Sequence, residues 1–409
     1  RQVWPVAGQQ RGPNVDFRFN DDQRQMRDML RSFCNERIAP KAEQRDHEGR
    51  FEDGLIEMLG EMGLFGTYVP EQYGGTGQDI PTYLMTVEEL SRACGATGIL
   101  VSAHHSLCVD PILNFGNEDQ KRKFLPKLAR GEWIGCFSLT EPGSGSDAGA
   151  ARCMAIETDR GWLINGTKSF VTNGVQAHVI VLFAVTDPDN PKRRMSAFIV
   201  EKNTPGCSIG KVEKKMGIRA SSTTELVFEE CLIPRENLLG ERGRGLPIAL
   251  ATLDGGRLGV AAQAVGISQA ALEAATAYSK ERVQFGAPIC NLQAIQWKLA
   301  DSAVWIAAAR ALMYRGGWMK QRYMDEKNPS LRISYSAEAA MAKLYASEAS
   351  SRVTNAALQV YGGYGYCQDY PAERLLRDAK ITELYEGTSE IQRLVIARQI
   401  LNDPQWVTR

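Results

Sequence analysis

Apolar residues recur at helical spacing from residue 21 to about residue 130. Met26, Met29, Leu30, Phe33 and Ile38 mark one helix over 21–46, and further helices are expected over 55–64 and 80–94, the last opening near Pro81. Between 133 and 234 the pattern changes to short β-rich runs at 161–164, 170–172, 178–185, 196–200 and 224–228, separated by Gly, Asn, Asp and Pro. Asn165-Gly166 reads as a hairpin turn between the first two runs. From 246 onward long helical patterns return over 249–282, 292–320, 334–360 and 388–400. Helices, strands and helices in segregated blocks predict an α+β chain rather than alternating βαβ units. Its expected parts are an extended tail (1–20), an N-terminal helical domain (21–132), a small antiparallel β-barrel domain (133–245) and a C-terminal four-helix bundle (246–409).

Composition narrows the function classes. The 409 residues allow two or three packed domains, and 44% hydrophobic with 23% charged residues is ordinary globular composition. Lys plus Arg and Asp plus Glu each number 48, so no global field favours nucleic acid or an anionic membrane, and an anionic ligand must be held by local donors. No apolar run approaches the roughly 20 residues of a membrane-spanning helix. The nine cysteines are scattered, odd in number and never spaced Cys-x-x-Cys, which argues against a disulfide framework and for a reducing compartment. With four histidines, and His104-His105 the sole adjacent pair, no metal site is expected.

Glu386 carries the most chemistry. It lies between Tyr385 and Gly387-Thr388, just before a helix that Thr388 or Ser389 can cap. Gly387 permits a tight turn, and an apolar wall would raise the carboxyl's proton affinity into the range of a base near neutral pH. Read alone, the same Glu fits better as a solvated or dipole-facing carboxylate; the rest of the chain reverses that reading. Residues 139–147, Leu-Thr-Glu-Pro-Gly-Ser-Gly-Ser-Asp, offer backbone N–H groups and hydroxyls to phosphate oxygens or a ring edge, or form an ordinary loop; they open no helix inside a βαβ unit. Phe170 and Thr172, two apart on a strand, share a face that could pack a flat ring. Asp254-Gly255-Gly256-Arg257 opens the first bundle helix, with Asp254 either functional or dipole-complementary. Arg282-Val283-Gln284-Phe285-Gly286 closes it, and the glycines of 359–365 exceed what a plain helix cap needs.

Taken together and in order, 139–147, 168–172, 282–286, 359–365 and 385–388 resemble the acyl-CoA dehydrogenase family over about 21–402. The similarity is greatest to its short-chain and short-branched-chain members, through 217–223 and 386–392. The resemblance implies FAD and an acyl-CoA thioester, with Glu386 removing the α-proton while a β-hydride passes to the flavin. It implies that the Glu386 backbone N–H and a ribityl hydroxyl polarise the thioester carbonyl. Phe137, Leu139, Thr140, Gly145, Ser146, Phe170 and Thr172 would line the flavin and its phosphates, and Thr388 and Glu390 its far end. Arg282, Phe285, Gln293, Gln359, Gly362 and Gly363 would reach it from a neighbouring subunit of a homotetramer, a dimer of dimers. Asp254 and Arg257 would hold CoA, Ser146 and Gly387 would border the substrate, and Ile99 and Leu100 would shorten the acyl pocket to C4–C6 chains, straight or 2-methyl branched.

Two departures bear on this. Phe170 stands where most of the family has Trp. Position 256 is Gly, whereas isovaleryl-type members carry their catalytic acid on this helix, so the base is expected at Glu386. An electron-transferring flavoprotein is the implied electron partner. The same motifs would serve an enoyl-CoA reductase working in reverse; a silent acyl-CoA-binding protein is the other alternative. The expected compartment is the mitochondrial matrix, or else a bacterial cytoplasm.

Overall fold

A computed structural model describes residues 19–403. The first block is helical: α1 (Asp21–Phe33), α2 (Ala42–Glu48), α3 (Leu55–Glu61), α4 (Ile80–Ala93), α5 (Gly95–Ala103), α6 (Asp110–Phe115) and α7 (Glu118–Ala129). The single helix expected over 21–46 is broken by a π-turn at Cys34–Ile38 and a short 3-10 turn containing Pro40, which lets Cys34 and Ile38 both turn into the core. The expected tail lies outside the described residues but for Phe19 and Asn20. Asn20 and Gln23 form a reciprocal capping box that starts α1.

The second block is one sheet built from β1 (Ile134–Ser138), β2 (Met154–Thr158), β3 (Gly161–Thr172), β4 (Ala177–Val185), β5 (Met195–Glu201), β6 (Cys207–Val212), β7 (Thr223–Ile233) and β8 (Leu238–Leu239). Its order is β6-β7-β3-β2-β4-β5-β8, with β1 joined to β4. Pairings are antiparallel except β1–β4 and the single β2–β4 bridge, which are parallel. The hairpin expected at Asn165-Gly166 is absent: β3 runs through it as one strand along β7, with a register shift between Ile164 and Gly166. Gly166 has φ +147°, and a side chain there would collide with the Cys153 backbone, so the glycine serves close strand approach at a bulge instead of a turn. Strands β1, β2 and β6 were not expected from the pattern.

The third block holds α8 (Gly245–Glu281), the small β9 (Val283–Gln284) and β10 (Ala287–Pro288) hairpin, α9 (Gln293–Asp325), α10 (Ser336–Tyr361), α11 (Pro371–Lys380) and α12 (Ser389–Asn402). Small residues dominate the interior faces of α8 and α10, among them Ala261, Ala264, Ala271, Ala339, Ala342 and Ala346, all buried, which lets the two helices approach closely. Helix α4 joins them through Tyr83, Leu84 and Val87. Asp254 to Arg257 therefore lie well inside α8, not at its start, because the apolar stretch 245–253 continues the helix backwards. Helix α11 was not expected either; Pro371 at its first turn starts it.

Three latches join the sheet to the helices. The buried Asp378 carboxylate of α11 accepts the Ile218 N–H. Arg377 pairs with Asp46 at 2.7 Å and donates to the Met216 carbonyl at 3.0 Å. Asn173, at the end of β3, donates to the Leu100 carbonyl at 3.0 Å. Among the described residues no helix is long and apolar enough to cross a membrane, and all nine cysteines are free thiols.

Candidate active site

Glu386 stands in the five-residue connection between the 3-10 turn Ile381–Glu383 and α12. Thr388 caps α12 by accepting the Ile391 N–H, so the backbone before it must reverse sharply. Glu386 and Gly387 both take left-handed conformations, φ +52° and +92°. For Glu this is a strained choice costing on the order of 1–3 kcal/mol, and it persists because neighbouring contacts over-determine it. The Gly387 carbonyl accepts two hydrogen bonds, from Lys343 Nζ on α10 and Gln392 Nε2 on α12, both at 2.7 Å. Gln392 also donates to the Glu386 carbonyl at 3.3 Å.

The Glu386 side chain points under α8. A β-carbon at Gly256 would collide with Glu386 Oε2 and crowd Leu107, so the glycine is what makes the hollow. Glu386 as a whole is half-buried, but its Oε2 is sealed from solvent and has no hydrogen-bond partner among the described residues. Burial pushes the carboxyl up to about 7, against the opposing pull of the Lys343 and Arg257 charges. A carboxyl so placed has its proton affinity raised toward neutral pH, and its Oε2 has no internal bond to break before it accepts a proton.

Around this point the structure gathers several expected residues. Arg257 pairs with Asp254, which also accepts from Ser336 Oγ at 2.8 Å; burial pushes Asp254 upward despite the Arg257 charge. Ile99 and Leu100 are buried in one apolar cluster with Leu107, into which Tyr385, Leu253 and Phe137 also pack. The 139–147 loop is fastened to β3: Thr140 O accepts from Ser169 N at 2.8 Å, and Lys168 Nζ, fully buried, donates to Leu139 O and Glu141 Oε1 at 2.9 and 2.8 Å. Gly145 and Ser146 at its tip are exposed. The shared face argued for Phe170 and Thr172 does not hold as stated. Phe170 sits at φ +56° in a register shift between Lys168 and Val171, so strand alternation is broken there, leaving its ring 66% exposed and Thr172 half-buried.

A second group lies elsewhere. Arg282 packs over the Tyr364 ring at 5.2 Å, and Tyr278 stacks on Tyr361 at 4.1 Å, which draws the end of α8 to the Gly362-Gly363 turn. Phe285 is 93% exposed at φ +54°, and Gln293, Gln359, Gly362 and Gly363 are exposed too. Along α8, Arg282 is roughly 39 Å from Gly256 at 1.5 Å per residue. Arg282 therefore stands far from the Gly256 hollow within one chain.

The donor set fits a large flat cofactor with a phosphate tail. Phe170 offers an uncovered ring, β-carbons at Gly143, Gly145, Gly362 and Gly363 would meet open space, and the exposed backbone of 145–147 can approach an anion. No cluster of His, Cys, Asp and Glu suited to a metal occurs among the described residues. His104 is structural: Nδ1 accepts the Gly135 N–H at 3.0 Å, leaving Nε2–H for the Leu128 carbonyl at 3.1 Å.

Family models described as the acyl-CoA dehydrogenase N-terminal, middle and C-terminal domains match residues 20–132, 136–231 and 243–401. The chain belongs to the acyl-CoA dehydrogenase family. It is thereby an FAD-dependent oxidoreductase. A short-chain-specific acyl-CoA dehydrogenase of Clostridium acetobutylicum is 47% identical over 94% of this chain and 100% of its own length. Butyryl-CoA dehydrogenase of Megasphaera elsdenii superposes with a TM-score of 0.91 at 45% identity, covering 95% of this chain and 100% of that one. An acyl-CoA dehydrogenase of Bacillus anthracis solved in complex with FAD has a TM-score of 0.88 at 35% identity, over 94% of this chain and 67% of the other.

Sequence reasoning missed Lys343 and Gln392. The available signal was a lone Lys on the Ala- and Ser-rich buried face of α10, a position where an unpaired cation has no packing role.

Proposed function

We propose that this acyl-CoA dehydrogenase introduces an α,β double bond into short-chain acyl-CoA thioesters of C4–C6 length, straight or 2-methyl branched, with Glu386 as the base. The observation that carries it is the orphaned Glu386 Oε2, buried beneath the Gly256 hollow with its proton affinity raised to about 7. FAD, when bound, supplies the two-electron acceptor for the β-hydrogen.

The remaining work falls to the chain's own residues. Glu386 Oε2 takes the α-proton, and the Glu386 backbone N–H is the proposed donor to the thioester oxygen as enolate character develops there. Asp254 and Arg257 hold the CoA portion; Ser146 and Gly387 border the thioester. The apolar wall of Ile99, Leu100, Leu107 and Leu253 excludes water and shortens the acyl pocket, each excluded methylene weakening binding by roughly 0.8 kcal/mol. Phe137, Leu139, Thr140, Gly145, Ser146, Phe170, Thr172, Thr388 and Glu390 form the flavin side of the site. The separation along α8 supports assigning Arg282, Phe285, Gln293, Gln359, Gly362 and Gly363 to a partner subunit's cofactor, hence a homotetramer built from dimers. Electrons leave to an electron-transferring flavoprotein, and the free thiols suit a mitochondrial matrix or bacterial cytoplasm.

Anaerobic addition of butyryl-CoA and 2-methylbutyryl-CoA to the purified flavoprotein tests this. Flavin bleaching is expected with both, and the tighter ligand separates straight from branched. Bleaching by neither, with enoyl-CoA oxidising pre-reduced enzyme, would favour the reductase direction. Highest kcat/KM with octanoyl-CoA would overturn the pocket assignment.

A further inference from the structure

We propose that Lys343 is a positioning residue for this reaction: its ammonium, reaching from α10 to the Gly387 carbonyl, holds the left-handed Glu386 under the Gly256 hollow and supplies a buried positive charge to the carboxylate. The inference rests on Glu386 being the base.

Three observations meet here. Lys343 is fully buried, and the Gly387 carbonyl accepts its hydrogen bond at 2.7 Å. That carbonyl has two lone pairs, and Gln392 Nε2 occupies the other, also at 2.7 Å. Because the peptide is planar, fixing the 387 carbonyl fixes the rotation of the peptide that follows Gly387, and Gln392 also holds the Glu386 carbonyl. The carboxylate that must meet an α-carbon is thus aimed by two side chains that bond the backbone of the turn carrying it. The turn needs such a clamp because Glu386 occupies backbone space that non-glycine residues avoid.

Lys343 also acts by charge. Burial lowers it to about 8, so it remains mostly protonated at pH 7, and among neighbouring charges it acts most strongly on Glu386, ahead of Arg257. The other ionisable groups around the pair are accounted for. On α8, Arg257 is tied to Asp254. On the 3-10 turn, Glu383 is held by Lys380 and Ser351. Glu390 on α12 is exposed, Tyr83 on α4 and the adjoining Tyr385 are neutral phenols pushed up by burial, and Tyr385 donates to Gln263. Among the described residues, Lys343 is therefore the buried cation of the set that no carboxylate hydrogen-bonds, and its bond goes to the turn that carries Glu386.

The test is a difference-infrared pH titration of FAD-loaded, thioester-free enzyme, with Glu386→Gln identifying the Glu386 carboxyl band, alongside kcat/KM profiles with butyryl-CoA. Lys343→Met is expected to move the Glu386 titration up by about one pH unit, shift the acid limb of kcat/KM with it, and lower kcat about fivefold at pH 7, at unchanged FAD content. Lys343→Arg is expected to restore both. A Lys343→Met enzyme with wild-type titration and profile overturns the proposal. If Lys343→Met yields no folded protein, Gln392→Met carries the test: kcat is expected to fall about fivefold with the titration unmoved, and an unchanged kcat overturns the clamp. Because the infrared titration requires no turnover, an enzyme that oxidises no thioester but whose Glu386 band still moves up in Lys343→Met would sink the dehydrogenase reading while leaving the charge coupling of Lys343 to Glu386 standing.

Discussion

Two buried glutamates in this chain are handled in opposite ways. Glu141, in the loop after β1, is pushed upward by burial, but the Lys168 ammonium and the N–H groups of Arg152 and Cys153 outweigh that and hold it below the usual carboxylate range. Glu386 is also buried, yet its nearest cations bond elsewhere, Lys343 to a backbone carbonyl and Arg257 to Asp254, and Oε2 has no donor. Burial alone does not set a carboxyl's proton affinity; the hydrogen bonds that survive burial do. Glu141 is saturated and serves as a strut fastening the 139–147 loop to β3. Glu386 is left unsatisfied and can do chemistry.

The comparison can be broken from either end. Lys168→Met strands Glu141 without its cation, and thermal unfolding should show a loss of about 3–5 kcal/mol, the usual consequence of removing one partner from a buried pair. A loss below about 1 kcal/mol would deny Glu141 its role as a strut. Glu386→Gln should retain FAD but lose at least about 10²-fold in kcat with butyryl-CoA, and near-normal turnover would end its assignment as base. In the wild type, kcat/KM should rise with pH through about 7 as Glu386 ionises; a flat profile between pH 6 and 8 would contradict it.

Stability should respond with opposite signs. The folded state holds the Glu386 proton more tightly than the unfolded chain, so its contribution falls as pH rises from about 4.5 to about 7. Glu386→Gln should therefore be more stable than wild type by roughly 1–2 kcal/mol at pH 8, after relaxation of the site, with the difference fading toward pH 4.5; denaturant titrations at the two pH values check this. Glu141, depressed when folded, contributes stability above its unfolded value and loses it as pH falls below about 4.5. The smallest effect is expected at the cap: Thr388→Ala should cost about 1 kcal/mol in unfolding, and more in kcat than in stability if the cap also aims Glu386.

The three-block order was readable because helical and strand periods differ, and Gly387-Thr388 announced the turn and cap before α12. Failures came where a local signal had a tertiary cause. Asn165-Gly166 looks like a turn, but the glycine is there so that Cys153 can approach. Gly255 and Gly256 look like a helix opening, yet they sit inside α8, where Lys320 Nζ and Glu386 fill the space a side chain would take.

By itself, then, the sequence determined which segments alternate or recur, where α12 begins, and that a carboxylate stands in the turn before it. Those are properties of neighbours along the chain. Tertiary structure decided that this carboxyl has a raised proton affinity, because that depends on a hollow at Gly256 and on Lys343 of α10, both distant in sequence. It also decided that Arg282 and the Gly362 turn lie at the far end of α8 from Glu386. A long rigid helix sets that distance, and no local pattern encodes it.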